Sequence, residues 1–242
     1  MKKHLPNAIT CCNLISGCIA VFYAFMGCYT HAFIAIIIGA CFDFLDGLVA
    51  RLFGVSSPIG KELDSLADVV TFGVAPSTMA FSVLAGIIPM SAASTPLHVI
   101  QSALPFVAFF MAAFSALRLA KFNLDDRQAY GFRGLPTPAN ALFWSSLIAG
   151  GGMSSLVHGC GQFIHPSILI VILLILSCVL LVCDFPLFAL KFKTVGWKGN
   201  EVKFIFIIGC VPLLILLGIN GFAAIVVWYV VLSVCCKVFC SC

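Results

Sequence analysis

Charge is what this chain has least of. Thirteen Lys and Arg and nine Asp and Glu among 242 residues leave it 9% charged and 62% hydrophobic, where a soluble domain carries about 25% charged residues. That scarcity excludes a separate soluble domain. Low-complexity linkers and internal repeats are also missing, so residues 1–242 are expected to form a single integral membrane domain. Zinc-ligand spacing is absent as well. Most of the thirteen cysteines, Cys11, Cys12, Cys18, Cys41, Cys178, Cys183 and Cys210 among them, lie inside apolar runs, where thiols act as small hydrophobes. The net charge of +4 says little about partners, and no nucleic-acid partner is expected. Lys2 and Lys3 before an apolar run imitate a secretory leader. Asn7, Thr10 and Asn13 interrupt that run and further apolar runs follow at once, so cleavage is not expected.

What is present is a succession of apolar stretches of about 20 residues, the length that crosses a bilayer. They predict an all-α polytopic transmembrane helical bundle of about eight spans, near 8–29, 32–53, 66–90, 98–122, 137–157, 166–184, 203–218 and 220–237. Lys and Arg are missing from every second connection, around Tyr29–His31, Ser91–Leu97, His158–His165 and Gly218–Gly221. All thirteen basic residues then fall on one side, which the positive-inside rule makes cytoplasmic, with both termini there. The nine acids fall on or near the same side.

Four of those acids stand out: Asp43, Asp46, Asp64 and Asp68, in the pattern D-x-x-D-G-x-x-A-R-x8-G-x-x-x-D-x-x-x-D. Carboxylates at membrane depth are costly and demand a reason. At roughly 100° per residue, Asp43, Asp46, Gly47, Ala50 and Arg51 share one helix face. Asp64 and Asp68 lie one turn apart and are expected in the first turns of the next helix, where its dipole favours negative charge. Ser56, Ser57 and Pro58 break the chain between them, so the four carboxylates can converge. Hard oxygen donors suit Mg²⁺, Mn²⁺ or Ca²⁺, and two such ions roughly 3.5–4 Å apart would neutralise the cluster and clamp a phosphoryl displacement. Gly47 and Ala50 leave a groove, Arg51 can pair with phosphate, and Gly60 permits close approach from the other wall.

This signature resembles that of the CDP-alcohol phosphotransferase family, at every fixed position. The resemblance implies transfer of a phosphate-linked group from a cytidine-diphosphate donor to an alcohol, with release of CMP. It further implies Asp43, Asp46 and Asp64 as metal ligands, Asp68 as ligand and catalytic base, and Gly47, Ala50, Arg51 and Gly60 as lining of the cytidine-diphosphate pocket. Members are often homodimers, and a homodimer is expected here.

Three other segments bear on the acceptor. Asn7, Thr10 and Asn13 could contact the nucleotide near the start of the first span. Pro76 should kink the third span just beyond the aspartates. Arg118 sits near the end of the fourth span, placed to bind an acceptor carboxylate or a lipid phosphate, and Gly134-Leu135-Pro136-Thr137-Pro138 reads as a rigid re-entry turn. Over about residues 1–140 these segments resemble the bacterial-type phosphatidylserine synthase branch of the family. That resemblance implies CDP-diacylglycerol and L-serine as substrates, membrane lipid as the surroundings and an active site on the cytoplasmic side of the inner membrane. It also implies a catalytic six-helix core over 1–184 and a two-span extension over 185–242. Glycerol 3-phosphate or an inositol compound is the alternative acceptor. Prenyl transfer and divalent-cation transport are remoter readings of the same acids.

Overall fold

A computed structural model describes residues 4–55, 57–87, 102–124, 132–160, 164–184, 186–187, 196 and 200–239. Helices dominate: α1 (Leu5–Phe25), α2 (Tyr29–Leu52), α3 (Pro58–Asp68), α4 (Ala75–Ile87), α5 (Phe110–Leu124), α6 (Thr137–Ala149), α7 (Gly152–Cys160), α8 (Pro166–Val182), α9 (Glu201–Leu217) and α10 (Asn220–Phe239). A π-helical segment, Val69–Val74, joins α3 to α4, and a 3-10 turn, Leu104–Phe109, leads into α5. Phe132–Arg133 (β1) pairs antiparallel with Pro186–Leu187 (β2) over two residues each. Ser56, the connection Ser91–Leu97, and the basic residues Lys2, Lys3, Arg127, Lys191, Lys193 and Lys198 lie outside the described residues.

Among the described residues, five helical segments are long and apolar enough to cross a membrane: Leu5–Phe25, Tyr29–Leu52, Pro58–Ile87, Leu104–Leu124 and Asn220–Lys237. The expected span near 137–157 is divided at Gly150 and Gly151, where Gly151 adopts φ +72°. Helices α8 and α9 have 17 residues each, short of the roughly 20 that cross a bilayer upright.

The first three spans pack through small side chains. A Cβ on Gly17 would lie 2.5 Å from Thr71 Oγ1 and 2.9 Å from Thr71 Cα, and one on Gly39 would lie 2.6 Å from Thr71 Cγ2. The π segment is therefore held against α1 and α2 almost backbone to backbone, the packing that small residues permit where lipid supplies no hydrophobic drive. Chain reversals are equally local. At Gly54 (φ +61°) the Val55 N–H donates to Ala50 O at 2.9 Å and the Gly54 N–H to Arg51 O at 3.2 Å, a Schellman ending of α2. Ser57 then caps α3, its Oγ accepting from the Gly60 N–H at 3.0 Å, with Pro58 in the first helical turn.

That cap corrects one expectation. Helix α3 starts at Pro58, not near 66, so Asp64 lies beyond its first turn and Asp68 closes it. The helix dipole, which fades within one turn, does not stabilise these acids. The π segment occupies the stretch where Pro76 was expected to act, and Pro76 sits in the first turn of the helix that resumes.

At the other end of the chain, α10 packs along α6 and α9. Asn220 locks it there: its Nδ2 donates to Gly150 O at 2.8 Å, and the Gly152 N–H donates to its Oδ1 at 3.2 Å.

Replacing Gly17 by Val tests the three-span contact. The added side chain must push α1 off Thr71, and overpacking of this kind costs about 1–3 kcal/mol. We expect a lower melting temperature in detergent than for Gly86→Val, since a Cβ at Gly86 meets nothing within 4 Å.

Candidate functional site

The chain reversal between α2 and α3 brings the acids of two spans together. One carboxylate oxygen from each of Asp43, Asp64 and Asp68 lies within 4.8 Å of the others. The buried Asp64 Oδ1 has no hydrogen-bond partner. At an effective dielectric of 20, two unit charges 4.8 Å apart repel by about 3 kcal/mol. Ionised carboxylates in such contact need a cation between them. The donor set is all oxygen, which fits Mg²⁺, Mn²⁺ or Ca²⁺, so the residues present suit a divalent ion.

Asp46 stands apart from that trio. It is buried, its Oδ2 accepts from Thr10 Oγ1 on α1, and it lines the adjoining groove together with Asp64. Three of the four signature aspartates thus form one tight cluster, and the fourth borders it.

The groove encloses about 250 Å³ and is walled by α1, α2 and α3. Of the binding residues expected from the sequence, Asn7, Thr10, Gly47, Ala50 and Gly60 line it. At Gly60 a Cβ would lie 3.1 Å from Asn7 Oδ1, so this glycine lets α1 and α3 approach across the groove floor. Arg51 does not line the groove: it is exposed, and its Nε donates to Gly47 O one turn back at 2.9 Å. Asn13 does not line it either. Fully buried, it donates from Nδ2 to Asp68 Oδ1 at 3.1 Å.

Arg118, from α5, is 7% exposed, and its buried Nε has no hydrogen-bond partner. The guanidinium carbon lies 5.8 Å from the centroid of the Phe122 ring, a cation–π contact, and the charge feels that of Asp68. One turn earlier, Ser115 Oγ is also buried and unpartnered. A buried cation without an acceptor is costly unless something anionic reaches it.

Some contributors were not singled out in the sequence. Lys61 lines the groove and donates from Nζ to Asn123 O at 3.1 Å, while Asn123 Nδ2 donates to Ser65 Oγ at 2.8 Å. These bonds pin the cytoplasm-expected end of α5 to α3. Position beside Gly60 was the available signal for Lys61; nothing in the spacing announced Asn123. Nearby, Lys121 pairs with Asp184 at 3.1 Å, an exposed bridge worth little to stability.

Residues 3–149 match the family model described as CDP-alcohol phosphatidyltransferase. A Bacillus subtilis relative named CDP-diacylglycerol–serine O-phosphatidyltransferase is 37% identical over 140 residues, covering 56% of this chain and 70% of that protein. A Helicobacter pylori relative of the same name is 35% identical over 57% of this chain and 54% of its own length, so the chain spans about half of that protein. A Methanocaldococcus jannaschii relative, again of that name, is 31% identical over 220 residues, covering 90% of this chain and 86% of its own.

The carboxylate contact gives a metal-dependent prediction. Asp64→Asn removes one of three crowded charges. The chelator-stripped variant should melt above the stripped wild type. With Mn²⁺ the order should reverse, because an ion at a hundred times its Kd stabilises the wild type by about 2.7 kcal/mol. Melting curves with chelator and with Mn²⁺ check both signs.

Proposed function

The chain belongs to the CDP-alcohol phosphatidyltransferase family, and from that premise we propose that it transfers the phosphatidyl group of CDP-diacylglycerol to the hydroxyl of L-serine, releasing CMP. The observation that carries this reading is the trio Asp43, Asp64 and Asp68, drawn within 4.8 Å beside a groove stripped of side chains at Gly47 and Gly60. Relatives bearing the serine-transferase name support the choice of acceptor.

In this reading Asp43, Asp46, Asp64 and Asp68 hold two divalent cations, Mg²⁺ or Mn²⁺, with Ca²⁺ also suited to the donors. Bound there, such ions neutralise the diphosphate and ease departure of CMP. The protein's own groups do the rest. Gly47, Ala50 and Gly60 leave space for the nucleotide, Asn7 and Thr10 offer it polar edges, and Lys61 supplies a cation for phosphate. Arg118 anchors the serine carboxylate, which answers the missing acceptor at its Nε. Asp68 takes the proton of the serine hydroxyl as that oxygen bonds to the phosphorus carrying the diacylglycerol. The bond from this phosphorus to the bridging oxygen of CMP breaks in the same displacement. Close positioning supplies what a carboxylate lacks in basicity.

The same reading sets the protein in the inner membrane as a homodimer of eight spans, with both termini and the aspartate site on the cytoplasmic side. Residues 1–184 form the catalytic core and 185–242 the extension.

CMP release from radiolabelled CDP-diacylglycerol, with and without serine and Mn²⁺, tests the proposal. Turnover should require both. Asp68→Ala should lower kcat by at least about a thousandfold, within the range for a lost general base, while nucleotide binding partly survives. Turnover with glycerol 3-phosphate and none with serine would refute the acceptor. Arg118→Ala should raise the KM for serine by about 10- to 100-fold, the worth of a charged hydrogen bond, and leave that for CDP-diacylglycerol unchanged.

A further inference from the structure

The expectation that Asn13 touches the nucleotide does not fit its surroundings. It is 0% exposed and is not among the groove residues. Two of its polar groups are engaged by the site's own scaffold. Nδ2 donates to Asp68 Oδ1 at 3.1 Å, its backbone oxygen accepts from Thr71 Oγ1 at 3.0 Å, and Oδ1 has no partner. Gly39 leaves room beside the carboxamide, since a Cβ there would lie 3.0 Å from Asn13 Oδ1.

We infer that Asn13 is a positioning residue that fixes the rotamer of Asp68, and that Thr71, in the π segment, fixes Asn13 in turn. The chain of contacts runs from the π segment through the α1 backbone and the Asn13 amide to the carboxylate that closes α3. Thr71 lies inside the π segment, and its hydroxyl reaches the Asn13 carbonyl there. Asp68 has two carboxylate oxygens. The amide engages Oδ1, and one oxygen of the same carboxylate lies within 4.8 Å of oxygens of Asp43 and Asp64. A hydrogen-bonded partner of a metal-ligating carboxylate typically governs 10- to 100-fold in metal affinity or activity.

The kinetic half of the test rests on the reaction proposed above; the binding half does not. Full-length protein in detergent is titrated with Mn²⁺ and free ion is followed by electron paramagnetic resonance, without lipid or serine. Asn13→Ala should weaken Mn²⁺ binding by about tenfold, with a melting temperature close to that of wild type in chelator. Asn13→Leu keeps about the same volume but removes the donor and should bind Mn²⁺ no better than Asn13→Ala. Mn²⁺ binding by Asn13→Leu within twofold of wild type would overturn the inference. Thr71→Val should weaken Mn²⁺ binding about threefold and Thr71→Ser should restore it, a rescue that loss of packing alone does not give. In the CMP-release assay Asn13→Ala should lower kcat about 100-fold with the KM for CDP-diacylglycerol within twofold of wild type. A raised KM at unchanged kcat, together with wild-type Mn²⁺ affinity, would return Asn13 to the nucleotide pocket. If the wild type fails to use serine, the acceptor assignment falls, and the Mn²⁺ titrations still decide the role of Asn13.

Discussion

Three carboxylates crowded against one another between apolar helices are the constraint around which the rest of the molecule is arranged. No helix holds Asp43, Asp64 and Asp68 together by itself: one comes from α2 and two from α3. Keeping them within 4.8 Å against their repulsion requires the two helices to be locked in register, and a counter-charge to fill the space. Each unusual backbone feature nearby serves that lock. Gly54 ends α2 in a left-handed turn, Ser57 starts α3 at once, and Thr71 seats the π segment against Gly17 and Gly39.

The distribution of polarity follows from the same constraint. Exposed positions are widely apolar, as at Phe44, Leu66, Ile208 and Leu216, while Thr10, Asn13 and Thr71 are among the buried polar groups linked by hydrogen bonds to Asp46 and Asp68. Buried polar groups in a membrane protein are costly and mark functional depth. Here they divide into those paired within the protein, such as Thr10 with Asp46 and Asn13 with Asp68, and those left open, such as Arg118 Nε and Ser115 Oγ. The paired groups build the site.

Much of this was legible in the amino-acid order. The spacing of the four aspartates, and the small residues Gly47, Ala50 and Gly60, announced two converging spans and a groove, because carboxylates and missing side chains are both rare enough in apolar helices to carry meaning. Hydropathy announced a helical membrane protein for the same reason. Other features were hidden. The start of α3 was read eight residues late because Lys61, Glu62 and Asp64 lower hydropathy there, whereas the cap at Ser57 depends on a local hydrogen bond. The π segment has no compositional mark: Val69–Val74 reads like any apolar helix. Asn13 was read as a ligand contact because its sequence neighbourhood is polar, and only its three-dimensional neighbours assign it to Asp68. Arg51 carries the right charge, but its donor is engaged by Gly47 O on its own helix.

The most direct measurement is a structure determined with Mn²⁺ and a cytidine diphosphate lipid, with anomalous scattering recorded at the manganese edge. The account predicts anomalous density enclosed by Asp43, Asp64 and Asp68, with the diphosphate in the groove beside Gly47 and Gly60. Manganese bound elsewhere, or a diphosphate seated in a cleft remote from these carboxylates, would contradict it.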